Sequence, residues 1–287
     1  MRLRTRAWLA ALVVALVAVV LAVGTLVSWT VSETHFDRPT AEFDAFAQRV
    51  DELLGVGEVQ QERWGEAPLF VDPNSGRGLT VDQEHLPGLL DTVCSWEHTE
   101  AVSWSISVSA EAGGETSLHS HTDSSGRALS EDTCPSFGFD AVPLVDELDA
   151  VAPGLAVQPA IWDNGRFALV SIADGSEGYL HLLPLVEHSD ELLAAASLGA
   201  DREVEINSTT LGATILPGEQ DAYLVLLSEL AREHEATDFW ADDGGSMIDG
   251  DARVQITAPA AQQAAIKSKV GASGLHIAGF PVEFHER

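Results

Sequence analysis

Basic side chains are scarce in this sequence, which has 15 lysines and arginines against 45 aspartates and glutamates. The formal net charge is −30, and the lysines are Lys267 and Lys269 alone. Nucleic acids and anionic lipid headgroups are bound through basic patches, so this composition excludes a nucleic-acid-binding function. Two interpretations of the acidity stay open: attraction of cations or of a basic partner, and a composition bias typical of GC-rich or salt-tolerant bacteria.

Cysteine is also scarce, because the chain contains only Cys94 and Cys134. Neither has the Cys-x-x-Cys spacing of a redox or zinc site. An even cysteine count in an oxidising compartment favours a disulfide, and closing a loop of about 41 residues contributes roughly 4 kcal/mol in the chain-entropy model. We therefore predict a Cys94–Cys134 bridge, with two unpaired buried thiols as the alternative.

The sequence lacks the motifs of nucleotide-dependent and serine-nucleophile enzymes. It contains no P-loop, and no Gly-x-Gly-x-x-Gly follows a predicted strand. The segments 174–178 and 271–274 place serine near glycines but fall short of Gly-x-Ser-x-Gly. We predict no catalytic residue and no cofactor, although a hydrolase whose catalytic residues are distant in sequence stays open as a third class of function.

A long apolar run lies at the N-terminus. Three arginines within the first six residues precede an uncharged stretch from Ala7 to Val27. At a rise of about 1.5 Å per residue, such a stretch spans about 30 Å as a helix, the thickness of the hydrocarbon core of a bilayer. Acidic residues follow, and the positive-inside bias then puts the N-terminus in the cytoplasm. The sequence predicts a cytoplasmic tip and transmembrane anchor at 1–29, a linker at 30–37 and an extracytoplasmic body.

A cleaved signal peptide is the competing interpretation of this run. Such a peptide has an apolar core of roughly 7–15 residues, followed by a cleavage site of small residues. Ala22-Val23-Gly24 fits that site, but apolar residues continue beyond it to Trp29. Both interpretations export the rest of the chain, and we predict the uncleaved, single-pass form in the cell membrane.

A pattern of a helix, a strand and a tryptophan occurs three times. The helical segments contain the related tetrapeptides Val50–Leu53, Val145–Leu148 and Leu227–Leu230. Each precedes a strand-like run that leads to a tryptophan, namely Trp64, Trp162 and Trp240. The recurrence of these features in the same order predicts triplication. We expect the tryptophans to be core anchors on equivalent strands, with ligand stacking as the alternative.

Helical and strand-like periodicities alternate within each of these units. Each unit reads as a helix and two strands, followed by a second helix and two more strands. We predict an α+β fold of tandem αββ repeats, with helices on one face of antiparallel sheets. Ferredoxin-like plaits are an arrangement that this element order permits. The αββαββ units cover residues 38–135, 136–216 and 217–287.

His119-Ser-His121 is the strongest candidate for a pair of metal ligands. Residues two apart in a strand lie on the same face, so both imidazoles and the Asp123 carboxylate can reach one ion. A two-residue hairpin loop at Gly113-Gly114 would place these histidines opposite apolar residues of the preceding strand, whereas a three-residue loop would place them opposite serines. Ordinary hairpin histidines are the alternative, because a site needs a third and a fourth ligand.

Two segments of the last third resemble parts of metal motifs. His234-Glu235 begins like His-Glu-x-x-His, but Asp238 stands where the second histidine is required. The acidic stretches Asp242-Asp243-Gly244-Gly245 and Asp249-Gly250-Asp251 suit calcium in composition, yet no bidentate glutamate follows at the EF-hand position. We expect the end of a helix at the first segment and a solvated hairpin turn at the second.

These features together favour a membrane-anchored extracytoplasmic protein with a non-enzymatic interaction or structural module. Its expected partners are the membrane, through the anchor, and a protein outside the membrane. The alternative is an extracytoplasmic metal or cation binder that uses His119 and His121.

Overall fold

A computed structural model gives the fold of most of the body. It describes residues 45, 48–50, 52–53, 79–95, 104–120, 134–172, 178–244 and 250–285. The chain divides into two compact units, and all described residues lie in the unit formed by 45–60 and 71–287. The predicted anchor at 1–29 and linker at 30–37 lie outside the described residues. Within the described ranges, no helix has the length and apolar character needed to cross a membrane.

Ten strands of the described part of the chain form one mixed sheet. They are β1 Leu79–Asp82, β2 Ser105–Ser109, β3 Glu115–His119, β4 Ala156–Ile161, β5 Phe167–Ser171, β6 Val204–Asn207, β7 Leu211–Ile215, β8 Asp238–Asp242, β9 Arg253–Thr257 and β10 Val282–His285. In the described ranges after residue 78, six α-helices connect them: α1 Leu86–Cys94, α2 Ala141–Val151, α3 Leu183–Glu187, α4 Ser189–Ala195, α5 Gln220–His234 and α6 Gln263–Ala272. The body is therefore a mixture of helices and a single sheet.

The strands lie in the sheet in the same order as in the sequence. Antiparallel hairpins, such as β2–β3 and β4–β5, alternate with parallel neighbours joined through helices, such as β3 with β4. The prediction of antiparallel sheets is wrong, because each helical connection returns the chain to its starting edge and makes the next strand parallel. The ferredoxin-like plait is also wrong, since that plait inserts a strand between the two strands that a helix connects, whereas here they are neighbours.

The helices pack on one face of the sheet. In β2 the side chains alternate, so that Ile106 and Val108 are fully buried and the intervening serines are partly exposed. A cluster of buried side chains within residues 144–277 joins helices to strands, including Leu144 of α2, Phe167 of β5 and Ile266 of α6. Burial of each such side chain contributes about 1.5–3 kcal/mol. The other face of the sheet, which we call the open face, carries the alternate and mostly polar residues.

Two helical connections at the end of the chain have opposite handedness. Helix α5 joins the parallel pair β7 and β8, and α6 joins the parallel pair β9 and β10. The two pairs run in opposite directions because β8 and β9 are antiparallel, yet α5 and α6 pack against each other on the same face. Both connections step across the sheet in the same direction and use the same face, but their strands run in opposite directions. One connection is therefore right-handed and the other left-handed. Left-handed connections are rare in such units.

Candidate functional site

The β2–β3 hairpin places His119 on the open face. Ala110 N–H donates to Gly114 O over 3.0 Å, and Gly113 N–H donates to Ala110 O over 3.1 Å. The loop therefore has three residues, with Gly113 in the left-handed region at φ 86°. His119 consequently pairs with Ser105. The alternative with a two-residue loop at Gly113-Gly114 is therefore wrong. The three-residue alternative, which places His119 opposite a serine, is the one observed.

His119 does not belong to a metal cluster among the described residues. No group of three or more histidine, cysteine, aspartate or glutamate side chains there could hold an ion. The other two candidate ligands, His121 and Asp123, lie outside the described residues. Burial lowers the pKa of His119 below its usual value, so its imidazole is uncharged at neutral pH.

A cavity of about 500 Å³ opens beside His119, where the parallel strands β3 and β4 end. This volume falls in the range of ligand pockets, about 300–1,000 Å³. One wall is apolar and includes Phe137, Pro159 and Ile161. The polar groups come from His119 on one side and from the turn after β4 on the other. The cavity thus combines an apolar wall with a few polar groups, as small recognition sites do.

The turn after β4 presents the other recognition groups. Trp162 N–H donates to Arg166 O over 3.0 Å, and Gly165 N–H donates to Trp162 O over 2.8 Å. This is the same three-residue geometry as the β2–β3 loop, with Gly165 at φ 86°. Arg166 N–H also donates to Asn164 Oδ1 over 3.0 Å. The turn is therefore fixed by the backbone and presents Trp162, Asp163 and Asn164 to the cavity.

The tryptophans are not the core anchors that the repeat predicts. Trp162 is 37% exposed and lies just beyond β4. Trp240 lies within β8, but its neighbour Phe239 is the buried residue, so Trp240 is on the open face. A Cβ atom on Gly212 would lie 2.5 Å from Trp240 Cε3, so this indole packs directly against a glycine. The prediction of buried anchors is wrong for both, and Trp64 lies outside the described residues.

A partly buried arginine lies at the same end of the sheet. Arg166, whose side chain is 16% exposed, contacts Glu203 Oε2 through Nε at 2.7 Å and Glu205 Oε2 through Nη1 at 3.8 Å. Its Nη2 donates to Asp243. Burial opposes the charged form, but Asp243 and Glu203 outweigh that effect and raise the pKa of Arg166. The sequence predicts a solvated hairpin turn at Asp243, and the structure gives this carboxylate a specific partner, Arg166.

A second cavity adjoins the first and shares Asn164 with it. Its lining adds Asp201 and Arg202, and Arg202 donates to Gly165 O. The two cavities and the surroundings of Arg166 contain five carboxylates, those of Asp163, Asp201, Glu203, Glu205 and Asp243. The described guanidinium groups there are those of Arg166 and Arg202. This end of the sheet is therefore negative overall.

The other residues singled out from the sequence lie at a disulfide and at the end of a helix. Cys94 ends α1 and pairs with Cys134 at a Cα–Cα distance of 4.2 Å, so the two cysteines are at disulfide distance as predicted. His234 is the last residue of α5, and its Nδ1 lies 2.9 Å from Gln262 Oε1. Glu235 follows in the left-handed conformation, at φ 55°. The expected helix end at this segment is therefore present.

A carboxylate–imidazole pair links α5 to the segment after α6. Glu219 Oε2 lies 2.6 Å from His276 Nδ1, and Glu219 Oε1 accepts from the His276 backbone N–H at 2.6 Å. Both side chains are about one-fifth exposed (17% and 21%). The pair fixes the C-terminal segment against the core, next to Tyr223. It therefore has a clear structural role.

No family model matches the chain, and neither a curated protein nor a solved structure is significantly similar to it. The site must be interpreted from its own residues. Sequence reasoning found His119 but missed Asp163, Asn164 and Arg166. A signal for them was present, because Asn164-Gly165 between two apolar runs is typical of a tight hairpin turn.

Proposed function

We propose that this chain is a single-pass membrane protein whose extracytoplasmic body is a non-enzymatic interaction module. The observation that carries the proposal is the cavity at the end of β3 and β4. It presents an exposed indole, a carboxylate, an amide and an uncharged imidazole on one turn and one strand end. These groups recognise and orient a partner by stacking and hydrogen bonding.

The location rests on two further features. Arginines before the apolar run at 7–27, with acidic residues after it, favour an anchor with the N-terminus in the cytoplasm. A cysteine pair at disulfide distance suits an oxidising compartment. The body is proposed to consist of tandem αββ units, which the alternation of hairpins and helices in a sheet of sequential order supports.

The lysines give a sharp test of location, since Lys267 and Lys269 are the only two in the chain. Lys267 is exposed on α6. A membrane-impermeant amine-reactive ester applied to intact cells freed of outer envelope layers should modify Lys267 before lysis. The double variant Lys267→Arg/Lys269→Arg is the control and should show no labelling of the body. Modification that requires lysis would contradict the proposal.

A mass measurement separates the anchor from the cleaved signal peptide. The protein extracted from membranes should retain residues 1–29. A mature N-terminus near Thr25 would instead establish export with cleavage, and the membrane-anchored form of the proposal would be abandoned.

Metal binding is a second candidate function, favoured by one observation. His119 is uncharged and shares the cavity with the carboxylate of Asp163, and neutral imidazole and carboxylate are both ligands for zinc. The proposal requires His121 and Asp123 to complete the set. It is tested by the zinc titration given in the Discussion.

A further inference from the structure

The cavity beside β4 has the groups that a guanidinium ion requires. Trp162 supplies an exposed indole, which is the aromatic ring that attracts cations most strongly. Asp163 is the neighbouring carboxylate on the same turn, and a carboxylate can accept two parallel hydrogen bonds from arginine. Because backbone hydrogen bonds fix the turn, its backbone loses little freedom when a ligand binds.

Electrostatics favour a cation over a neutral or anionic ligand. No described lining residue of this cavity is lysine or arginine. Arg202 in the adjoining cavity donates to a backbone carbonyl, and Arg166 is surrounded by carboxylates. The chain as a whole carries −30, which steers a positively charged partner toward it.

Arg166 is an internal example of the recognition that we infer. Its guanidinium is held at the same end of the sheet by Glu203, Glu205 and Asp243. The adjacent cavity offers a carboxylate, Asp163, together with an aromatic ring that Arg166 does not use.

We propose that this cavity binds an arginine side chain of a basic protein partner, with the guanidinium stacked on Trp162 and hydrogen-bonded to Asp163. The inference rests on the proposed function, because it names the partner class that the interaction module recognises. His119 and Asn164 supply further polar groups for the peptide around the arginine.

The test uses the full-length chain in a neutral detergent at about 0.15 M salt, where diffuse attraction is screened beyond about 8 Å. The probe is a peptide of alternating glycine and arginine that carries an uncharged fluorophore, followed by fluorescence anisotropy. Binding should be saturable. The same peptide with citrulline, which is uncharged but similar in shape to arginine, should bind at least about tenfold more weakly, as expected when a charged hydrogen-bond donor is lost.

Matched variants separate the site from the overall charge. Trp162→Leu and Asp163→Asn should each weaken binding by about 3- to 30-fold, and Trp162→Phe should weaken it less than Trp162→Leu. Asp190→Asn removes the same charge from an exposed position on α4 outside the cavity lining and should leave the affinity within about twofold, as expected for an exposed, screened charge. Circular dichroism checks that each variant is folded, and the phenylalanine variant keeps the test valid if the leucine variant is not.

Several results would overturn the proposal. These are absence of saturable binding, equal affinity for the citrulline peptide, and an Asp190→Asn effect as large as that of Asp163→Asn. Binding of a neutral N-acetylglucosamine oligomer through Trp162, without preference for arginine, would replace it with glycan recognition. None of these results changes the lysine-labelling experiment, so failure of the site is distinguishable from failure of the proposed location.

Discussion

The two tyrosines of the chain form a natural matched pair for a stability experiment. Tyr179 and Tyr223 are 1% and 0% exposed, and the sequence contains no others. The Tyr179 hydroxyl donates to Leu227 O over 3.1 Å. The Tyr223 hydroxyl, in contrast, has no hydrogen-bond partner among the residues that the structure describes. Replacing each by phenylalanine therefore removes the same atom from two different environments.

The expected effects have opposite signs. Tyr179→Phe removes a buried hydrogen bond, which should lower the free energy of unfolding by about 0.5–1.5 kcal/mol. Tyr223→Phe removes a buried hydroxyl that finds no hydrogen-bond partner among the described residues. Burying a hydroxyl without a partner costs about 1–3 kcal/mol. We expect Tyr223→Phe to raise the free energy of unfolding by about 1 kcal/mol. The loss of one oxygen's packing contacts is common to both variants and cancels in the comparison.

Urea unfolding of the full-length chain, followed by tryptophan fluorescence and circular dichroism, measures this difference. The slope of free energy against urea should be the same in all variants, so that the midpoints report stability. The double variant should show additive effects if the two sites are independent. A Tyr223→Phe variant less stable than the parent by about 1 kcal/mol would refute the reasoning, because the hydroxyl would then have to be hydrogen-bonded.

Four further predictions follow from single features. Burial raises the pKa of both tyrosines, so above about pH 10 only the unfolded state releases their protons. The free energy of unfolding should therefore fall there by up to about 2.7 kcal/mol per pH unit. A double phenylalanine variant that keeps this slope would contradict the prediction. Thiol labelling of denatured, unreduced protein from an oxidising host should find no free cysteine; two labelled thiols would exclude the bridge. Glu219→Ala should cost about 1.5–3 kcal/mol, because two hydrogen bonds to His276 are lost; an unchanged urea midpoint would show the pair to be dispensable. Calorimetric titration with zinc should show no saturable micromolar site; one equivalent bound and lost on His119→Ala would establish the metal-binding alternative.

The sequence by itself determined the local properties of the fold. The period-two alternation around Ile106 and Val108 identifies a strand with one buried face, since side chains alternate across a strand. The helical end at His234 was also readable, as was the pairing of two cysteines, because each depends on neighbouring residues or on a simple count.

Only the tertiary structure decided which strands are neighbours. Period-two alternation says which side of a strand is buried but not whether its partner is parallel, and for that reason the prediction of antiparallel sheets failed. The prediction that the tryptophans are buried failed for a similar reason, because hydrophobicity alone does not tell which of Phe239 and Trp240 faces the core. Their burial depends on which face of β8 the helices cover, and on a glycine in β7 that leaves room for the indole.

The candidate site is also a product of tertiary structure. His119 ends β3 and Trp162 follows β4, so the two lie far apart in the sequence. They meet because α2 returns the chain to the same edge of the sheet and makes β3 and β4 parallel neighbours, whose carboxyl ends coincide. The residue types could be read from the sequence, but their convergence depends on a strand pairing that long-range packing fixes.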